Sequence, residues 1–155
     1  RKALAMAEAA TDERARRWRA PLYNNVGEIR HERREYAQAL ADFRQALAAY
    51  ETRGNVRNLR FARWKVGRAE RMLGRLDEAQ RVQLDLAAET ERAGEPDGYV
   101  YEELAEIELA RGDAAGARVW AAKAYALLKN DPDLQAGEPA RIARLGQLAA
   151  EAKTP

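Results

Sequence analysis

Apolar residues recur along the chain at three- and four-residue spacing, the signature of helices with one buried face, and nowhere in the strict alternation of a strand. This pattern predicts helices near 1–10, 20–34, 36–53, 56–73, 76–93, 98–111, 114–129 and 138–152. Small residues add a slower rhythm. Val26-Gly27, Val66-Gly67, Leu104-Ala105 and Leu145-Gly146 each fall mid-way along a helical stretch, and their second members are 40, 38 and 41 residues apart. Ala39, Ala79 and Ala117 follow twelve residues after the first three pairs. A period in this range predicts a stacked array whose units bury their apolar faces against neighbours.

The punctuation agrees. Gly54, Gly74, Gly94 and Gly112 each follow an amphipathic stretch, as a left-handed residue closing a helix does. Asp97 and Asp113 are placed to cap the helices that follow them, and Pro139 suits a first helical position. Pro21 marks a helix start, or a kink in a helix beginning near Asp12. Ala3-Leu4-Ala5 matches Ala46-Leu47-Ala48, so residues 1–19 are expected to be the end of a preceding repeat and a connector, in a fragment of a longer protein. The expected organisation is one domain over 1–155, with repeats at 20–55, 56–95 and 96–134 and a capping helix at 135–155.

Composition narrows the class. Charged residues make up 34% of the 155 residues and the hydrophobic set 46%, much of it alanine, a mixture of good helix formers. No apolar run nears the roughly 20 residues of a membrane span, and no secretory leader is visible, so a cytoplasmic setting is expected. Cysteine and serine are both missing and there is a single histidine, which leaves no thiolate, no Ser-His-Asp set and no imidazole cluster for a metal. With no glycine-rich phosphate loop either, no enzyme and no cofactor are expected. The arginine-rich, lysine-poor bias suggests a bacterial source.

Tyr23, Val26, Gly27, Tyr36, Ala39, Phe43 and Ala46 follow a recurring order: a large residue and a small one on a first helix, then alanine, an aromatic and alanine on a second. Val66, Gly67, Leu76, Ala79 and Leu86 repeat it, as do Tyr101, Leu104, Ala105, Ala117 and Ala124. The unit resembles the tetratricopeptide repeat, and Ile142, Leu145 and Gly146 resemble a first helix left single, as the solubilising end helices of that family are. The resemblance implies an all-α fold, a right-handed α-solenoid of antiparallel helix pairs with a C-terminal capping helix. The repeats are longer than the usual ~34 residues, which is similar to the kinesin-light-chain type. The second repeat departs most: Arg63 and then Trp64 stand near the place of the large residue, and Gln83 replaces the aromatic, leaving its register open by about a residue.

First helices line the concave groove in this family, and peptides lie along it. The resemblance therefore implies groove candidates Asn24, Asn25, Glu28 and His31 in the first repeat, Trp64, Lys65, Arg68 and Arg71 in the second, and Tyr99, Glu102, Glu103 and Glu106 in the third. Leu22-Tyr23-Asn24-Asn25-Val26-Gly27 is similar to the kinesin-light-chain segment in which an asparagine pairs with the backbone of an extended peptide. An amide suits that task because it both donates and accepts, although these asparagines could also bridge neighbouring helices. Trp64 reads as an aromatic anchor or as the displaced packing residue of its repeat. Trp18 and Trp120 are assigned to packing between helices.

Charge is unevenly divided. Residues 1–77 hold 18 basic and 10 acidic groups, net +8, and residues 78–155 hold 9 and 15, net −6. Lys65, Arg68 and Arg71 could grip a carboxylate or phosphate. The basic run from Arg14 to Arg19 invites nucleic acid, but adjoining acids and the acidic second half argue against a phosphate backbone. The expected function is a protein- or peptide-binding scaffold of a larger bacterial protein. Self-association as a homo-oligomer is one alternative, and a ligand-sensing array linked to an effector domain is the other.

Overall fold

The computed structural model describes residues 2–9, 17–52 and 54–150. Every regular element among them is a helix: α1 (Lys2–Ala9), α2 (Arg19–Glu32), α3 (Tyr36–Glu51), α4 (Val56–Met72), α5 (Leu76–Arg92), α6 (Gly98–Arg111), α7 (Ala114–Leu128), α8 (Pro132–Gly137) and α9 (Pro139–Ala150). The boundaries read from the hydrophobic pattern hold to within about two residues wherever they can be compared. The expected helix ends at residues 10, 53 and 151–152 lie outside the described residues, as do Asp12 and the basic run's Arg14 and Arg16. Pro21 falls within the first turn of α2, where its missing N–H removes no helical bond. The short α8 had no counterpart in the pattern, since six residues are too few to display a helical period. Asp131 caps it, accepting from the N–H groups of Asp133 and Leu134.

Four turns close with the same hydrogen bond. The N–H groups of Glu35, Arg75, Glu95 and Asp113 donate to the carbonyls of Arg30, Glu70, Thr90 and Glu108 at 2.9, 3.0, 2.9 and 2.9 Å, the six-to-one closure of a Schellman motif. It needs a left-handed residue just before the donor. Gly74, Gly94 and Gly112 supply it with φ of 74°, 72° and 80°, but in the first turn Arg34 does so at 62°. There the side chain opposes the backbone conformation that the turn demands.

The chain falls into two compact units, residues 1–79 and 80–155. In the first, α2 pairs with α3, α4 packs on α3 and α1 touches α2; connections of only a few residues require consecutive helices to reverse direction. Gly27 explains the pairing, because a Cβ there would lie 2.6 Å from Phe43 Cε1. Phe43, Ala39, Leu40, Val66 and Ala69 form one buried cluster, and Ala20, Ala46, Tyr50 and Ala62 a second. Arg19 ties α1 to α2, donating from Nε to the carbonyl of Ala7 at 2.9 Å and from Nη2 to that of Glu8 at 2.5 Å. The Tyr23 hydroxyl donates to Glu8 as well.

In the second unit α6 pairs with α7, and α9 packs on α7 as the closing helix beside α8. Val100, Leu104, Ala105 and Ile107 of α6 are buried, with Ala117, Ala121, Ala124 and Leu128 of α7 and Leu145 of α9. Gly98 and Gly146 give the close approaches here: a Cβ on them would lie 2.6 Å from Leu128 and 3.0 Å from Tyr125. Trp120 stacks on Tyr101 across the pair at 5.7 Å, the packing role expected of it. Trp18 does not take that role. It stands at the N-cap of α2, outside the paired faces, and is 55% exposed. No described helix is long and apolar enough to cross a membrane.

Candidate protein-binding faces

Counting from the small residue of each first helix puts the repeats in one register. Three positions before it stand Asn24, Trp64 and Glu102; one after it, Glu28, Arg68 and Glu106; four after it, His31 and Arg71. These positions share one helix face. The second repeat's register is not shifted. Val66, Gly67 and Ala69 are buried, as the repeat pattern requires, and Arg63 occupies the place of the large residue, half-buried. Trp64 therefore lies on the same face as Asn24 and is half-buried, stacked on Phe61 with ring centroids 6.0 Å apart.

In residues 1–79 this face is centred on Glu28. Its carboxylate accepts a hydrogen bond from Lys65 and lies 3.6 Å from Arg68. Burial raises the Glu28 carboxyl, but the Lys65 hydrogen bond and the charges of Lys65 and Arg68 outweigh it and hold the group below the ordinary range. Lys65 is 6% exposed, its ammonium 5.3 Å from the Phe43 ring and 4.9 Å from the Phe61 ring. Such a cation is engaged with aromatic faces as well as with its carboxylate. Arg68 lies over Trp64 at 5.5 Å. His31 meets Tyr36 edge-on at 5.3 Å. Burial, then the charge of Arg68, lowers its pKa, with Lys65 and Arg71 adding to the effect and Glu28 opposing it. Two buried atoms on α2 have no hydrogen-bond partner, Asn24 Oδ1 and His31 Nε2, while Asn25 is exposed.

In residues 80–155 the corresponding face is closed by arginines. Arg141 of α9 donates to both oxygens of Glu102, from Nε at 2.7 Å and from Nη2 at 2.5 Å, a bidentate geometry. Glu102 is 6% exposed. The Glu102 hydrogen bonds outweigh burial and hold Arg141 still more firmly protonated. Arg144 donates to Glu106, and Arg141 lies over the Tyr99 ring at 5.4 Å. Tyr99 donates to Asp131 at 3.3 Å; burial and that carboxylate raise its pKa. Glu103 is also buried. Behind this face, burial and the hydrogen bond to Glu91 push Tyr101 up to about 12.

Three functional-looking residues escaped the sequence reading: Phe61, Arg141 and Arg144. Spacing held a signal for Phe61 and for Arg144. Phe61 stands six positions before Gly67, as Tyr99 does before Ala105, and is 47% exposed. Glu28 and Glu106 each directly follow the small residue, and their partners Lys65 and Arg144 each stand two positions before the next one. One rule of spacing therefore describes both ion pairs.

The folded class is an all-α array of antiparallel helix pairs with a single closing helix. Residues 18–86 match the family model of the tetratricopeptide repeat. None of the curated proteins matches the chain. Repeats of this family generally mediate contacts between proteins, typically as non-catalytic scaffolds.

Proposed function

We propose that the chain is a protein-binding scaffold module of a larger bacterial, cytoplasmic protein, and that the α2/α4 face of residues 1–79 takes an extended peptide segment. The carrying observation is the pair of buried, partnerless atoms on that face, Asn24 Oδ1 and His31 Nε2. An orphaned buried polar atom costs about 1–3 kcal/mol. An extended segment leaves its own N–H and C=O groups open and can relieve that cost. Exposed Asn25 adds an amide able to donate and accept, in keeping with the kinesin-light-chain type of repeat. Phe61 and Trp64 offer aromatic surface beside it. Tyr99, Glu102 and Glu106 we assign instead to the contact with α9, because arginines of that helix already bond both carboxylates and cover the Tyr99 ring.

The test is fluorescence anisotropy against a panel of extended peptides of varied charge. A binding peptide is expected, with Asn25→Ala weakening it about tenfold through the loss of backbone hydrogen bonds and Arg68→Glu weakening it further. Equal affinity for wild type and both variants would remove the peptide from this face.

A further inference from the structure

The two unpartnered buried atoms of α2, Asn24 Oδ1 and His31 Nε2, lie on one helix face, two turns apart. That separation is about 10 Å along the axis, a distance that about three extended residues span. The two atoms differ in one respect. An amide oxygen accepts a hydrogen bond at every pH, whereas an imidazole nitrogen accepts only while it carries no proton. The surroundings of His31 favour the neutral ring. Burial opposes a proton most, then the charge of Arg68, with Lys65 and Arg71 of the same helix α4 adding to it; Glu28 on α2 favours the proton. From α3 the Tyr36 ring meets the imidazole edge-on. Arg68 keeps its ion pair with Glu28 throughout.

We propose that His31 is a proton gate on the α2/α4 face, an inference that rests on the peptide-binding role of that face. The unprotonated Nε2 accepts an N–H from the docked segment, as Asn24 Oδ1 accepts another, so the segment meets α2 with its donors. Backbone N–H groups of an extended chain are such donors and require no particular side chain. Acidification breaks the contact twice over. The proton takes the lone pair that accepted the bond, and the new N–H then faces the N–H of the segment. Binding in turn holds the ring neutral, so an occupied face lowers the His31 midpoint and a lower pH weakens binding.

The chain's one histidine makes the gate directly readable by long-range proton–nitrogen NMR. In the free chain at about pH 7.5, above the ordinary histidine value, Nε2 is expected to show the shift of an unprotonated ring nitrogen. A protonated Nε2 there would overturn the gate with no peptide present. The Hε1 resonance then gives the His31 midpoint, with folding followed by circular dichroism; a chain that unfolds before His31 protonates would also overturn the gate. The binding probes are acetylated, amidated extended peptides free of His, Asp and Glu, read by fluorescence anisotropy about one pH unit above and below that midpoint. Only the neutral fraction binds, so affinity is expected to fall about tenfold on acidification, and His31→Gln to bind alike at both. Equal wild-type affinity at the two pH values, or the same fall in His31→Gln, would overturn the gate and leave the peptide-binding face standing. A panel in which nothing binds at either pH would overturn the face and the gate together.

Discussion

The faces of the two units use the same register to opposite ends. In residues 80–155 a first-helix glutamate is matched oxygen by oxygen, Glu102 by Arg141, and Glu106 has Arg144. In residues 1–79 Glu28 is served by Lys65 and pairs with Arg68 at 3.6 Å, but two buried polar atoms nearby have no hydrogen-bond partner. A helix that follows in the array can therefore either complete the polar face before it or leave the face incomplete. Completion stabilises the fold, whereas incompleteness is the ground of the proposed binding face.

The largest expected difference comes from removing one partner of each pair. Arg141→Met strands a carboxylate that is 6% exposed and is expected to cost about 3 kcal/mol in urea denaturation. Lys65→Met leaves Glu28 with its side chain 33% exposed and Arg68 still near, and is expected to cost no more than about 1 kcal/mol. Equal losses would dissolve the contrast between the faces.

The glycine approaches sharpen it next. Gly27→Ala drives a Cβ to 2.6 Å from the buried Phe43 ring, against 3.0 Å from Tyr125 for Gly146→Ala. Thermal unfolding is expected to record about 2 kcal/mol for the first and about 1 kcal/mol or less for the second. The turns give a smaller effect of opposite signs. Arg34→Gly relieves a left-handed side chain and is expected to stabilise by about 1 kcal/mol, while Gly112→Ala installs the same strain and loses about as much.

The smallest effect is one of pH. Burial and Arg68 lower the pKa of His31, so on acidification the unfolded chain takes up this proton before the folded one does. The stability it contributes is present above about pH 6.5, the unfolded value, and is lost as the pH falls through the lower folded value. Denaturant midpoints at neutral and mildly acid pH should fall in wild type and fall less in His31→Gln.

The helices and their small-residue contacts were legible in the sequence because they depend on local periodicity and on residues such as Gly27 and Gly146, whose lack of a side chain is itself the message. Turn chemistry was mostly legible, through Gly74, Gly94 and Gly112, and failed at Arg34, where the turn's own hydrogen bonds hold a conformation the residue disfavours. The candidate face was only half legible. Asn24, Glu28 and His31 follow from register, but whether a charge there is open or already matched depends on a residue some 40 positions away, as Glu102 depends on Arg141. Trp18 misled for a related reason: an aromatic residue suggests packing, and only its place at the start of α2 leaves it uncovered.

The spacing that joins Glu28 to Lys65 and Glu106 to Arg144 also makes the repeats non-interchangeable. In each unit a glutamate after a first helix's small residue is met by a cation two positions before the next small residue. The third repeat has Glu103 where the second has Lys65, so a shuffled array with the third repeat directly after the first would oppose Glu28 with another carboxylate. Neighbouring helices within a unit are thus matched by charge, and a misplaced repeat would be legible as a mismatch before any core residue changed.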